Sequence, residues 1–302
     1  MRGRAAFLSL LLLFAGSCYF FTPTVTCAAL SKSFTSEVSA ATSHRFSADL
    51  DGGGDVSVSQ FSLAAGVAIP SDTKWKLNLN AHYGLEAYDF SNPDLPAPWK
   101  TINQAGIGAR LSYKLTDDWT IGISPAVQYA GEDGAEFDHA LIYGGFFSAT
   151  YLKSPDLILG LGAGVFYRLE ETRVIPIIFF SWKISDKLRL GNASRQGSAN
   201  PAGLELTYYF DQNWEIGIGG AYRSSRFRIA EDGPVPGGVG QDSGWPVYAH
   251  VRYNVGKRLH LDLTGGWILG EKIRIEDRNG NEIRSIGYET APMLGLNIGA
   301  SF

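Results

Sequence analysis

From about residue 44 to the C-terminus, apolar and polar residues alternate with a period of two rather than 3.6. Trp75, Leu77, Leu79, Ala81, Tyr83 and Leu85 interleave with Lys76, Asn78, Asn80 and His82. Trp214, Ile216, Ile218, Gly220 and Tyr222 interleave with Glu215, Gly217, Gly219 and Arg223. Leu259, Leu261, Leu263, Gly265 and Trp267 interleave with His260, Asp262 and Thr264. Successive side chains of a strand point to opposite faces, so each stretch predicts a strand with one apolar and one polar face. No amphipathic helix emerges from the pattern.

Short polar turns recur, each followed by Trp or Leu: Asp72-Thr73-Lys74-Trp75, Asp117-Asp118-Trp119, Pro155-Asp156-Leu157, Asp186-Lys187-Leu188, Gln212-Asn213-Trp214 and Lys257-Arg258-Leu259. The opposite connections are mostly longer, near 50–54, 89–101, 130–138, 170–173, 192–202, 228–244 and 271–287. Short periplasmic turns alternating with longer external loops are the pattern of an outer-membrane barrel. Six short turns between two chain ends on one side imply an all-β fold: a closed antiparallel transmembrane β-barrel of about 14 strands. Twelve is the alternative, because the segments near 188–193 and 202–210 are short. Pro125, Pro176, Pro246 and Pro292 fall in or beside strands and are expected at bulges or rims. Asn279-Gly280 predicts a tight hairpin capping Ile273–Ile286.

The polar face argues for a bilayer rather than water. Sealing Lys76, Arg110, Lys114, Glu205, His250 and Arg252 into a dry core would cost several kcal/mol per unpaired charge. In lipid the apolar set points outward and the lumen can be wet. A sheet in lipid must also close, because an open edge finds no hydrogen-bond partner there. Trp75, Trp119 and Trp214, each just after a short turn, predict an interfacial girdle. The last strand carries Leu294, Leu296, Ile298 and Ala300 at every second place and ends on Phe302. That ending resembles the signal read by the bacterial barrel assembly machinery, so the machinery and outer-membrane lipid are the implied partners. Residues 44–302 resemble bacterial outer-membrane β-barrels. They are similar in particular to an uncharacterised barrel family carrying the stretch Gly52-Gly53-Gly54-Asp55-Val56-Ser57-Val58-Ser59. The resemblance implies architecture and brings no catalytic residue with it.

Composition refines the location. Arg2 and Arg4 precede an apolar run from Phe7 to Ala15, and Cys27-Ala28-Ala29 offers a cleavage point, so 1–29 reads as a secretory signal. Residues 30–43 read as a flexible leader. The formal charge of -4 becomes -6 when Arg2 and Arg4 are lost, which gives no basic patch for nucleic acid. Both cysteines, Cys18 and Cys27, lie in the signal, so the mature chain has no disulfide and no cysteine metal site. A lipoprotein reading at Cys18 is the minor alternative.

Candidate chemistry is sparse. The lumen-facing set is Lys76, Glu86, Arg110, Lys114, Arg168, Glu205, Glu215, Arg223, His250, Arg252 and Asp262, with mixed signs. Such side chains either select solutes or bridge one another across the lumen. Glycines on the same phase favour an open interior, with close backbone approach as the rival reading. Asp49, Asp51 and Asp55 imitate part of a calcium loop, but Gly53 and Gln60 replace two expected ligands, so a plain external hairpin is favoured. No His–x–Ser pair is evident on a lipid-facing phase, which argues against a lipid-modifying enzyme. No cofactor is implied. The leading function is passive passage of small polar solutes. The alternatives are a structural or surface-interaction barrel with a closed lumen, and a lipid-modifying enzyme.

Overall fold

The computed structural model describes residues 34–69, 74–91, 97–192 and 203–302. The signal segment and the Cys18 alternative lie outside the described residues. The strand segments are β1 (Thr35–Asp49), β2 (Asp55–Ile69), β3 (Trp75–Ser91), β4 (Thr101–Lys114), β5 (Trp119–Glu132), β6 (Leu141–Ser154), β7 (Leu157–Arg168) and β8 (Thr172–Ser185). They continue as β9 (Leu188–Asn192), β10 (Leu204–Tyr209), β11 (Trp214–Gly220), β12 (Arg223–Arg228), β13 (Val239–Val255), β14 (Leu259–Glu276), β15 (Glu282–Tyr288) and β16 (Ala291–Ser301). Antiparallel ladders run from β1 through β11, then β13, β14 and β16, and β16 pairs back onto β1. The result is a closed 14-strand barrel wall. Phe302 completes it: its amide donates to the Ser36 carbonyl at 2.8 Å and its carbonyl accepts from Ser36 at 3.1 Å.

Among the described residues, the turns β4–β5, β6–β7, β8–β9, β10–β11 and β13–β14 and both ends of the wall lie at one end, the turn end. The connections β1–β2, β5–β6, β7–β8, β12–β13, β14–β15 and β15–β16 lie at the other, the loop end. Outward positions are apolar: Leu79, Ile107, Ile121, Phe147, Ile218 and Leu263 are all exposed. Trp75, Trp119 and Trp214 sit at the turn end, each against a cross-strand tyrosine: Tyr113, Tyr151 and Tyr253, with ring centroids 4.5, 4.9 and 4.5 Å apart. Trp182, paired with Leu157, lies outward at the same end. Such aromatic pairs contribute about 0.5–1.5 kcal/mol each beyond their area, and they set a row of amphipathic rings around the turn end.

Three of the four prolines lie where ladders end. Pro176 is on the part of β8 that β9 does not pair, Pro246 is at the bulge in β13, and Pro292 lies just past the last β1–β16 rung. Pro125 is the exception. It is inside β5, where the rungs opposite Ala109 and Arg110 are missing because proline offers no amide hydrogen.

The predicted leader boundary is corrected. β1 begins at Thr35 rather than near 44, and its first half pairs on both sides with β2 and β16. Its Ser, Thr and Ala residues mask the alternation, because neither face carries large side chains.

The main departure follows β11. The chain turns at Ala221 and Tyr222, and β12 leaves the wall to cross the interior. β12 stays paired to β13 along one edge, and Arg228 bridges Gly131 of β5 on the other. Five of its six residues are buried. Hairpin β12–β13 therefore plugs the loop end. The β7–β8 turn receives it: Leu169 and Glu170 adopt φ of 51° and 70°. Non-glycine residues there cost of order 1–3 kcal/mol each. The side chain of Leu169 is fully buried, and Arg226 donates to its carbonyl.

Candidate functional site

The lumen is the site, and it is built in tiers. At the loop end the inward positions become apolar. Val56, Ile102, Ile142 and Phe166 from the wall are fully buried against Phe227 and Ile229 of the plug. Trp99, from the β3–β4 connection, meets Phe227 edge-on at 4.9 Å. This tier is a dry core, and it corrects the expectation of a polar lumen throughout. The outward row remains apolar at the same level, as with Val174 and Ile178, so both faces are greasy there.

Below it lies an ionic tier. Asp242 of β13, with 0% exposure, holds Arg45 of β1 at 3.1 Å and Arg223 of β12 at 2.8 Å. Arg45 also pairs with Glu271. The Tyr88 hydroxyl lies 3.1 Å from Asp242 and that of Tyr288 lies 2.6 Å away. Gln104 donates to Ser225 at 3.1 Å. Removing two such buried charges from water costs several kcal/mol each, so they persist only because every strand around them supplies a partner.

Two further arginines latch the plug. Arg226 grips Glu276 with both forks, Nη1–Oε1 2.9 Å and Nη2–Oε2 2.6 Å, and donates to the carbonyls of Arg168 and Leu169 at 3.1 and 2.9 Å. Arg228 pairs with Glu170 at 2.6 Å and donates to the carbonyl of His139 at 2.9 Å. These partners all lie on other elements, so the contacts exist only when the plug is docked.

Toward the turn end the lumen is a polar chamber. On the β10–β14 wall, Tyr248 donates to Glu205 at 2.9 Å, and Arg252 reaches Asp262 at 2.9 Å and Glu215 at 3.4 Å. His250 lies 3.5 Å from Glu205 and 3.9 Å from Asp262. The β3–β4 wall roughly opposite carries Lys76, Asn78, Asn80, His82 and Arg110. The glycines here do not simply leave space. A Cβ on Gly106 would fall 2.4 Å from His82, and one on Gly217 would fall 2.0 Å from His250. Each lets a cross-strand imidazole lie flat on the wall, which is the close-approach reading of those glycines.

The sequence-derived residues therefore divide. Glu205, Glu215, His250, Arg252 and Asp262 form one cluster. Lys76, Arg110 and Lys114 lie on the facing wall, with Lys114 paired to Asp117 at 2.8 Å at the exposed rim. Glu86 sits beneath the plug within 2.9 Å of Tyr88. Arg168 and Arg223 belong to the plug region rather than to the chamber. Sequence reasoning missed Arg45, Arg226, Arg228, Asp242, Glu271 and Glu276. The signal for the plug lay in Arg223-Ser224-Ser225-Arg226-Phe227-Arg228, a run with charge on both phases that no lipid-facing strand can carry.

Asp49, Asp51 and Asp55 do not converge. Asp55 instead accepts hydrogen bonds from Ser47 and Ser91. The one metal-type grouping among the described residues is the exposed Glu136, Asp138 and His139. A His–Ser pair distant in sequence does occur on the outward face: His44 Nδ1 and Ser59 Oγ are 3.0 Å apart across β1 and β2. Ser59 is paired on both sides, so its flanking amides belong to ladders and not to an oxyanion hole.

Solved structures share the architecture. The COG4313 outer membrane channel from Pseudomonas putida F1 superposes with a TM-score of 0.52 at 10% identity, covering 94% of this chain and 100% of that one. A Pseudomonas aeruginosa FadL homologue gives 0.51 at 12% identity, covering 90% of each chain. The sequence matches no curated protein. A family model matches residues 55–298, and the chain belongs to that family, described as a domain of unknown function, DUF6268.

Proposed function

We propose that this protein is an outer-membrane channel for small polar solutes, exported through a cleaved signal, with its external half held closed by hairpin β12–β13. The turn end is then periplasmic and the loop end external. One observation carries the reading: β12 lies over the chamber, held to the strands across the lumen by buried ion pairs, side-chain-to-carbonyl bonds and one bridge to β5, while the fourteen-strand ladder closes without β12. A hairpin needed only for wall stability has no reason to cross the lumen over a polar chamber. The similar structures, one named a channel and the other a FadL homologue, support a transport role. They share the fold at low identity. The outward His44–Ser59 pair lacks an oxyanion hole, which argues against lipid hydrolysis.

The apolar tier favours a second reading, a permanently sealed barrel recognised through its external loops. Planar-bilayer recordings separate the two. Single-channel steps from the wild type, or from a variant lacking residues 229–238, support the channel. Silence from both, in protein folded by gel mobility, supports the sealed barrel.

A further inference from the structure

Among the described residues, Arg45 of β1, Arg223, Arg226 and Arg228 of β12 and Arg252 of β13 each have a carboxylate within 4 Å. Arg110 does not. It projects into the chamber from β4, half-buried, and its Nε donates to Ser112 Oγ at 3.2 Å. Across the ladder it faces Asn78, and Asn80 lies beside it over Gly108. The polar neighbours on this face are Asn78, Asn80 and Ser112, with Lys76 opposite Ser112, and among the described residues no carboxylate lies within 4 Å. A guanidinium held partly out of water and without a counter-charge is costly, and a bound anion removes that cost. Nε is occupied, so the two terminal nitrogens form the free fork, which matches the two oxygens of a carboxylate.

We propose that Arg110 is the anion-binding residue of the chamber and takes the carboxylate of a small solute, with Asn78 and Asn80 supplying neutral donors beside it. This rests on the channel reading for its purpose, though not for its chemistry. The opposite wall explains the placement. There Glu205, Glu215 and Asp262 are already committed to Tyr248 and Arg252, so Arg110 is where a negatively charged group gains most.

The test uses two readouts on the folded full barrel. Fluoroacetate is titrated into detergent-solubilised protein at low chloride and followed by fluorine NMR line broadening. The reversal potential is measured in planar bilayers under a potassium chloride gradient. Wild type is expected to bind fluoroacetate. Arg110→Gln should weaken binding about tenfold or more, since the charge-assisted bonds to the carboxylate are lost. Arg110→Lys, which keeps the charge and loses the fork, should fall between and guards against a folding artefact. In bilayers Arg110→Gln should shift the reversal potential toward cation preference. Equal binding by wild type and Arg110→Gln overturns the site, even if both conduct. Binding that depends on Arg110 in a barrel that never conducts upholds the site and overturns the channel reading.

Discussion

The Arg226–Glu276 latch offers the sharpest perturbation of the plug. Both side chains are nearly inaccessible, at 2% and 5% exposure, and they meet in a bidentate pair of 2.9 and 2.6 Å. Glu276→Gln keeps the shape and removes the charge. Arg226 would then be buried against two carbonyls and an amide, with Glu171 at 3.7 Å its remaining counter-charge. Breaking a buried pair from one side costs about 3–5 kcal/mol. Glu276 also lies 3.6 Å from the half-exposed Arg274, a contact that contributes little by comparison. At about 1.4 kcal/mol per factor of ten, the docked-to-undocked ratio should fall by roughly two to three and a half orders of magnitude. The penalty falls on docking and not on the wall, whose ladders do not involve either side chain. Hydrogen exchange of the β12 amides in nanodiscs reads it directly. Those amides should exchange far faster in Glu276→Gln while β2 to β7 stay protected. The double variant Arg226→Met with Glu276→Leu, which leaves no orphan charge, should recover most of the protection. Unchanged β12 exchange in Glu276→Gln, or a uniform loosening of the whole wall, would refute the assignment of this pair as a latch.

Further outcomes follow from single contacts. Gly217→Val drives a side chain into His250, because a Cβ at position 217 falls 2.0 Å from the His250 Nε2, and should lower the unfolding free energy measured by urea titration by the ~1–3 kcal/mol typical of overpacking. Phe302→Ser keeps the backbone rungs to Ser36 and should slow insertion by the assembly machinery in reconstituted liposomes without altering the folded barrel. Hydrogen bonds from the Asn281 side chain and amide, and from the amide of Asn279, hold the Asp277 carboxyl below the usual carboxylate range. A depressed folded-state value stabilises above the unfolded one and is lost as pH falls through the folded one. Protection of the β14–β15 hairpin tip should therefore hold at neutral pH and decline in strong acid, and Asp277→Ala should remove that dependence.

The wall was legible because lipid imposes a simple rule on it. Strands such as Trp75–Leu85 and Leu259–Trp267 must be apolar outward, and their lumen face can stay polar, so the alternation survives in the sequence. The same rule hid β1, whose Thr35–Ser43 half pairs small residues on both faces. The plug was not legible from alternation. Where the interior is also dry, both faces turn apolar, as in Val174-Ile175-Pro176-Ile177-Ile178-Phe179-Phe180, and the period of two disappears. That unbroken run marks a strand between lipid and a packed core. The latches were invisible for a further reason. Arg226 and Glu276, or Arg45 and Asp242, are far apart in sequence and meet only once the barrel closes.

If one wall separates lipid, a wet chamber and a dry plug, three single positions on it should behave differently. Cys18 and Cys27 both fall within 1–29, so a chain lacking that segment accepts single cysteines on a thiol-free background. Ser124→Cys reports on the chamber, Ile102→Cys on the plug tier and Ile107→Cys on the outward face. In liposomes a small water-soluble maleimide should label Ser124→Cys and leave Ile102→Cys unreacted, while brominated acyl chains should quench a fluorophore carried at Ile107→Cys alone. Equal labelling at Ile102→Cys and Ser124→Cys, or no quenching at Ile107→Cys, would contradict the account.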